Sequence, residues 1–530
     1  MDAAATSRPR LTWLCPPLAL WLLWREDNPR RVLKSILLVL LLGVQVLLGL
    51  ATLVLFGWAR LDWDGRGLPG SLRWNQSSPG RANWTVSQNS VNSDDPANWL
   101  AYRGADRTGV YTGPKLRFDW DKNPPKQIWK TTIGGGHASV TVGGGRLFTL
   151  EQWDEGEAVT AYNLVDGRGL WFHTYEGAFN DASRMGGVGP RSTPTLDGNR
   201  LYTLGAAGQL FCFDAATGKV IWQKDAFEVF ETRNIAFGMC GSPLVAGDRL
   251  ILTLGLGKFT VVALDKKTGD VIWKTDEAGK QAYMSPITAT LAGREQLVLG
   301  AAREMQGLSL EDGKVLWRFD WRVSYDNNIA QPVVLDDRHL FISAGYGKGC
   351  ALLKITDQNG TLNANQIWFN KELKNKFTSS VLHKGHLYGL DDAGGENAAY
   401  LTCIEAMTGK LKWRGDENYG HGQVLLADSH LIIQCENGDL ALARAKPDAH
   451  ELIARIPSLD GRTWNNPALT DGRLFVRHES AMACYNLREG SDGGGGTTPA
   501  TNLDGLTILL TALLLTNGFG CLLLGMVNGE

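Results

Sequence analysis

A chain of 530 residues is long enough for roughly three or four ordinary domains, or for one repeat architecture that uses it all. Its 63 glycines and 19 tryptophans against 20% charged residues exclude a disordered polymer, and the glycines keep no period of three, which excludes collagen. With 53 Lys and Arg against 55 Asp and Glu, the net charge of −2 leaves no basic field for nucleic acid; eight cysteines without a C-x-x-C pair point to neither a disulfide scaffold nor zinc, haem or thioredoxin chemistry.

The first apolar segment, Leu11 to Trp24, is short for a membrane span and carries Pro16-Pro17. The second, Ser35 to Ala59, has 25 residues without a charge and would form a helix of about 37 Å, enough to span with some tilt. Arg30, Arg31 and Lys34 precede it, which predicts a cytoplasmic N-terminal end, and no small-residue cleavage site follows, which predicts an uncleaved anchor. Residues 1–34 then stay inside, and 60–98, rich in Asn, Ser, Gly and Pro, read as a linker to a main domain over 99–489.

That domain is a repeat. A polar residue, a Thr-Gly turn and a strand ending in Trp recur as Asp214-Ala-Ala-Thr-Gly218-Lys-Val-Ile-Trp222 and Asp265-Lys-Lys-Thr-Gly269-Asp-Val-Ile-Trp273. Related copies end at Trp171, Trp317, Trp368 and Trp413, and an orphan strand, Lys126-Gln-Ile-Trp129, opens the series; successive tryptophans stand 42 to 51 residues apart. Each unit holds four short strands joined by tight turns and shows no helical period, which predicts an all-β propeller. Six full copies end at tryptophans, a degenerate seventh runs from Gly422 to about Ile456, and an eighth from Asn466 to Asn486 lacks its outer strand. Lys126–Thr132 supplies that strand and closes the ring, so eight blades are expected. A Gly/Thr-rich spacer over 490–504 then leads to a C-terminal transmembrane helix over 505–527, whose uncharged run of 22 residues extends from Leu506 to Val527.

The repeat L-[YF]-x-L…G-x-[LV]-x-[CA]-[LFI]-D-x-x-T-G-K-x-x-W resembles the pyrroloquinoline-quinone (PQQ)-type propeller repeat. That repeat occurs in quinoprotein alcohol dehydrogenases and in the propeller lipoprotein of the outer-membrane assembly machine. A bacterial group of PQQ-like propellers opens with W-x-x-[FY]-R-G-x-x-R-x-G, matched here by Trp99-Leu-Ala-Tyr-Arg103-Gly-Ala-Asp-Arg107-Thr-Gly109. The resemblance covers about residues 97–488 and implies a quinoprotein-like fold far more firmly than an activity.

The repeated tryptophans read as packing between neighbouring blades rather than as a quinone floor. Cys212, Cys403 and Cys484 occupy the position that Ala263 fills in another blade, so they read as small core residues and not as disulfide partners. As the resemblance implies, a quinoprotein dehydrogenase holds PQQ with a vicinal Cys-Cys disulfide, a Trp beneath the ring, basic residues, Ca²⁺ and a catalytic Asp. This sequence has no Cys-Cys pair, no C-x-x-C-H haem motif and no acidic cluster with Ca²⁺-loop spacing. No cofactor, metal or catalytic residue is therefore expected, with a PQQ-dependent oxidoreductase as the alternative.

The linkers that enter each innermost strand should crowd around the propeller axis, and they supply the candidate ligand-binding residues His137, Arg191, Asn327, Asn328, Lys376, His421 and Asn465. Converging Arg, Lys and His would favour an anionic or hydroxylated ligand; the competing reading is that Ser and Asn cap strand ends and the basic groups are solvated. Arg191, in a linker, is expected to be dispensable for the fold. The glycine-rich Ser343–Cys350 lies between strands and reads as a blade turn, not a phosphate loop. Asn75-Gln-Ser, Asn83-Trp-Thr and Asn359-Gly-Thr fit glycosylation sequons that matter only in a eukaryotic secretory route. The sequence predicts a binding or assembly module held in the plasma (inner) membrane by two terminal helices, its propeller periplasmic or extracellular, both termini cytoplasmic, with an envelope protein as partner.

Overall fold

The computed structural model describes residues 31–55, 59–63, 69–74, 84, 98–153, 156–179, 187–394 and 398–489. The chain divides into two units. The first holds a helix over Arg31–Leu55 and an antiparallel hairpin that pairs Ala59–Trp63 with Pro69–Trp74, so the stretch read as linker carries two strands. A Leu- and Val-rich sequence without proline lets the helix run, and Val39, Leu40 and Leu47 on it are more than 60% exposed. Side chains of this helix are described only at 39–49, 51 and 52, and among the described residues no helix is long and apolar enough to cross a membrane. The segments 11–24, 490–504 and 505–527 lie outside the described residues.

The second unit is the propeller, and it has the eight blades the repeat predicts. Blades 1 to 7 span 141–175, 195–225, 244–275, 287–320, 333–370, 381–418 and 423–456; blade 8 joins 468–486 to Lys126–Thr132. Each is an antiparallel four-stranded sheet, and blade 7 gains a fifth strand, Val110–Tyr111, parallel to Gln423–Ala427. Outer strands such as Val220–Asp225 alternate between half-buried and exposed, one face on the neighbouring blade and one in water.

The Asp-x-x-Thr-Gly turn has a direct cause. Asp214 Oδ1 accepts from the Thr217 amide (2.9 Å) and hydroxyl (2.7 Å), while Gly218 sits at φ +72°, where a side chain is strained. Trp171 of the preceding blade lies over Gly218, 2.6 Å from where a Cβ would be, and donates Nε1–H to the Ala215 carbonyl at 3.0 Å. The same docking links Trp129 to Leu164, Trp222 to Lys266, Trp273 to Leu310, Trp368 to Met407 and Trp413 to Lys446. Trp317 departs from it: Gly307 leaves room beside its indole, which donates to Gln296 Oε1 of its own blade.

Across six of the outer strand pairs a small residue stands opposite the Trp beside a β-bulge: Ala161, Cys212, Ala263, Gly307, Cys403 and Cys484; in blade 5 Leu352 faces Trp368. The six described cysteines are all free. Closure between blades 8 and 1 is polar as well as aromatic. Arg477, wholly buried, donates to the Leu150 (3.1 Å) and Gly136 (3.2 Å) carbonyls and to Thr149 Oγ1. Glu151 beside it accepts from Thr160 (2.7 Å), Tyr162 (2.6 Å) and the Gly134 amide (2.9 Å).

Candidate functional site

Residues 98–111 form a strap along the ends of the innermost strands. Trp99 bridges Val142 in blade 1, and the Leu100 carbonyl accepts from Leu196 in blade 2. Arg107 donates to the Ser242 (3.2 Å), Pro243 and Pro286 (2.8 Å) carbonyls, at the entries to blades 3 and 4. Arg103 reaches the Ser380 (3.2 Å) and Val424 (3.4 Å) carbonyls and Asn466 Oδ1 (3.4 Å), which belong to blades 6, 7 and 8. Gly109 lies at φ +74° with the Arg103 guanidinium where a Cβ would be, so the closing glycine of the R-G-x-x-R-x-G pattern is a steric requirement of the strap. Burial lowers both guanidinium pKa values, that of Arg107 to about 9.

Above the strap the linkers form a relay in which each blade bonds to the next. The Asn466 amide donates to Ser139 Oγ (2.8 Å), Ser139 N to Thr193 Oγ1 (3.1 Å), Thr193 N to Ser242 Oγ (3.0 Å), and Ser242 N to Ser285 Oγ (2.9 Å). Across the ring, Gln331 N donates to Ser379 Oγ at 3.0 Å. These hydroxyls serve the strand-capping role, satisfying backbone amides that the inner strands leave unpaired.

A funnel of about 660 Å³ opens at the axis, with Tyr102 of the strap among its walls. Of the candidate residues, His137, Arg191 and Asn327 line it. Asn328 and Asn465 are turned into the wall, where their amides donate to the Ala301 (3.3 Å) and Ala138 (2.9 Å) carbonyls. Lys376 and His421 stand behind Tyr346 and Phe377. Lys376 Nζ lies 3.3 Å from His421 Nε2 and over both aromatic rings, and burial followed by the Lys376 charge lowers the His421 pKa.

Arg191 donates to the Gly189 (2.8 Å) and Gly187 (2.9 Å) carbonyls and stacks on Phe179 at 4.5 Å, so its contacts are with its own loop. His137 Nε2 is 3.7 Å from Glu479 Oε1, which also accepts from Arg462 at 3.2 Å.

Aromatic side chains dominate the wall. Phe237 and Tyr283 sit 5.6 Å apart, Tyr325 and Tyr346 6.0 Å, and Phe377 and Trp464 4.6 Å. Phe377 and Trp464 adjoin the candidate residues Lys376 and Asn465, so their ring chemistry was available as a signal; Tyr102, Phe237, Tyr325 and Tyr346 come from segments without a repeat. Burial raises the Tyr102 hydroxyl, holds Tyr346 at about 12 and raises the Cys240 thiol to about 11, so at neutral pH these groups are uncharged. No carboxylate stands among the described lining residues.

The family model for the outer membrane protein assembly factor BamB matches residues 179–415. The chain is 25% identical over 246 residues to an outer membrane protein assembly factor BamB of Shewanella oneidensis, covering 44% of this chain and 59% of that protein. It is 26% identical over 136 residues to the quinoprotein alcohol dehydrogenase PedH of Pseudomonas putida, 24% of this chain and 22% of that one. The chain thus spans less than two thirds of either relative. A europium-containing methanol dehydrogenase shares the fold, with a TM-score of 0.57 at 12% identity over 74% of this chain and 99% of that one. Fold, repeats and comparisons together define an eight-bladed propeller of the PQQ-repeat class. Within that class the chain is similar both to the BamB assembly factors and to the quinoprotein dehydrogenases.

Proposed function

We propose that the chain is a membrane-anchored propeller of the cell envelope that acts as a binding or assembly module, with its blades outside the cytoplasm. The observation that carries this reading is the funnel wall: paired aromatic rings, uncharged hydroxyls and amides, and a single lining guanidinium, Arg191. Such a surface offers large rigid contact area with few polar anchors, which suits recognition. Similarity to the BamB assembly factors favours an envelope protein as the partner. The uncharged run Ser35–Ala59 behind Arg30, Arg31 and Lys34, and the second run over 505–527, support anchoring with both termini inside.

The alternative is a PQQ-dependent oxidoreductase, favoured by the likeness to the quinoprotein enzymes. The residues present do not fit that group. Among its described residues the funnel wall offers no carboxylate for Ca²⁺ or for proton abstraction, and the sequence holds no vicinal cysteine pair to lie against the quinone. No chemical step is therefore derived through it.

Photo-crosslinking separates funnel from rim. Benzoylphenylalanine at position 346 should give one discrete crosslinked protein in cells, whereas the same group at Ile367, on the exposed outer strand of blade 5, should not. Equal products from both positions, or none from 346, would remove the funnel from the account.

A further inference from the structure

Two tyrosines at the funnel mouth stand in a backbone conformation that suits glycine or asparagine. Tyr325 lies at φ +62° and Tyr346 at φ +56°, and no other described aromatic residue has a positive φ. Tyr325 comes from the loop before the inner strand of blade 5, and Tyr346 from the turn between that blade's second and third strands. Their rings meet edge to face at 6.0 Å, and both line the funnel.

Tyr325 contributes little to packing. Its side chain is 85% exposed, while the next most exposed described aromatic, Phe369, is at 43%. Its hydroxyl makes no hydrogen bond to a described residue. The turn is held instead by its neighbour Asp326, which is also left-handed at φ +57° and pairs with Lys280 (2.7 Å) and Arg303 (3.8 Å). A bulky side chain held in a strained conformation without packing return marks a residue that serves contact with something else.

The charges around the pair define the class of that contact. Lys348 follows Tyr346 in the same turn and lies over Trp321 at 4.4 Å, and Lys376 lies over Tyr346 at 5.3 Å. Among the described residues neither ammonium has a carboxylate within ion-pair distance. With Lys280 and Arg303 they make four cations against two carboxylates, Asp326 and Asp392, the latter accepting from the Tyr346 amide at 3.0 Å. A cationic lip is complementary to an acidic partner, and exposed rings at the mouth of an aromatic funnel are complementary to another ring.

We propose that the Tyr325–Tyr346 lip docks an acidic peptide segment of the partner through an aromatic side chain of that segment, its carboxylates facing Arg303 and Lys348. The proposal rests on the funnel being the recognition site and names the chemistry of what enters it.

Titration calorimetry on the full detergent-extracted chain tests this with acetyl-Glu-Glu-Phe-Glu-Glu-amide, the same peptide with Ala in place of Phe, and acetyl-Lys-Lys-Phe-Lys-Lys-amide. The first should bind, and each of the others about tenfold or more weakly. Tyr325→Gly should weaken the first peptide by about fivefold or more yet melt no lower than the parent, because glycine adopts φ +62° without strain. Lys348→Glu should weaken it by about fivefold or more as well. No binding of the first peptide, equal binding of all three, or undiminished binding in either variant would overturn the proposal. A Tyr325→Gly chain that melts lower or fails to fold would assign the tyrosine to the fold and overturn it too. Crosslinking at position 346 keeps the two readings apart. A discrete product there without peptide binding rejects the lip chemistry alone, whereas no product rejects the funnel as the site.

Discussion

Trp129 and Cys484 face each other across the outer strand pair of blade 8, although one opens the propeller and the other nearly ends it. Their pairing turns eight separate sheets into a ring, and the Trp129 indole extends it by donating to Leu164 of blade 1 at 3.2 Å. Closure therefore rests on a seven-residue strand, Lys126–Thr132.

Trp129→Ala should cost about 3–5 kcal/mol, as truncating a buried Trp does, because both its packing and its inter-blade hydrogen bond are lost. Denaturant titration would show a lower midpoint at an unchanged slope. A midpoint within error of the parent would mean that blade 8 is not closed by this strand.

The Trp-over-Gly contact predicts a contrast between two turn glycines. Gly218→Ala places a Cβ 2.6 Å from the Trp171 ring at a left-handed φ, so strain and overpacking together should cost about 2 kcal/mol or more. Gly247→Ala, also at positive φ but with nothing within 4 Å, should carry only the backbone strain of about 1 kcal/mol. Equal effects in thermal unfolding would contradict the docking argument.

Glu157 in blade 1 is wholly buried, and burial lifts its carboxyl pKa to about 7 although Tyr175 OH (2.9 Å) and the Ala206 amide (3.1 Å) donate to it. Between about pH 4.5 and 7 the folded chain keeps a proton that the unfolded chain has released. This group's contribution to stability therefore falls as pH rises through that window and levels off above it, by an amount on the order of 3 kcal/mol. Glu157→Gln should flatten that part of the stability–pH curve and be the more stable protein at pH 8. A variant curve parallel to the parent's would rule this out.

Topology gives an independent check. A reporter active only outside the cytoplasm should work when fused after Gly490 and fail after Lys34. The reverse pattern would overturn the anchoring reading.

Blade number, shared closure and Trp docking are legible in the sequence because each is written several times over: the Asp-x-x-Thr-Gly turn and its Trp recur at one spacing, so position within the repeat reveals contact. The cysteines opposite the Trp positions follow for the same reason. The funnel is less legible. Linker residues do converge, but whether a side chain points inward depends on local backbone geometry, which turns Asn327 to the cavity and its neighbour Asn328 into the wall. Tyr325 and Tyr346 reach the funnel from loops with no repeat, and Tyr346 does so at φ +56°. The strap's motif is visible, yet the backbone carbonyls that receive Arg103 and Arg107 come from four blades and carry no side-chain signature. The hairpin over 59–74 was hidden by a turn-rich composition that resembles a linker.

The central claim is that the propeller recognises a partner and does not oxidise alcohols with PQQ. Its most direct test is calorimetric titration of the full detergent-extracted chain with PQQ in the presence of Ca²⁺, followed by a dye-linked alcohol oxidation assay on the same sample. A wall without carboxylates predicts no stoichiometric PQQ binding and no dye reduction. Tight one-to-one binding accompanied by alcohol-dependent dye reduction would contradict the account and establish the enzyme reading in its place.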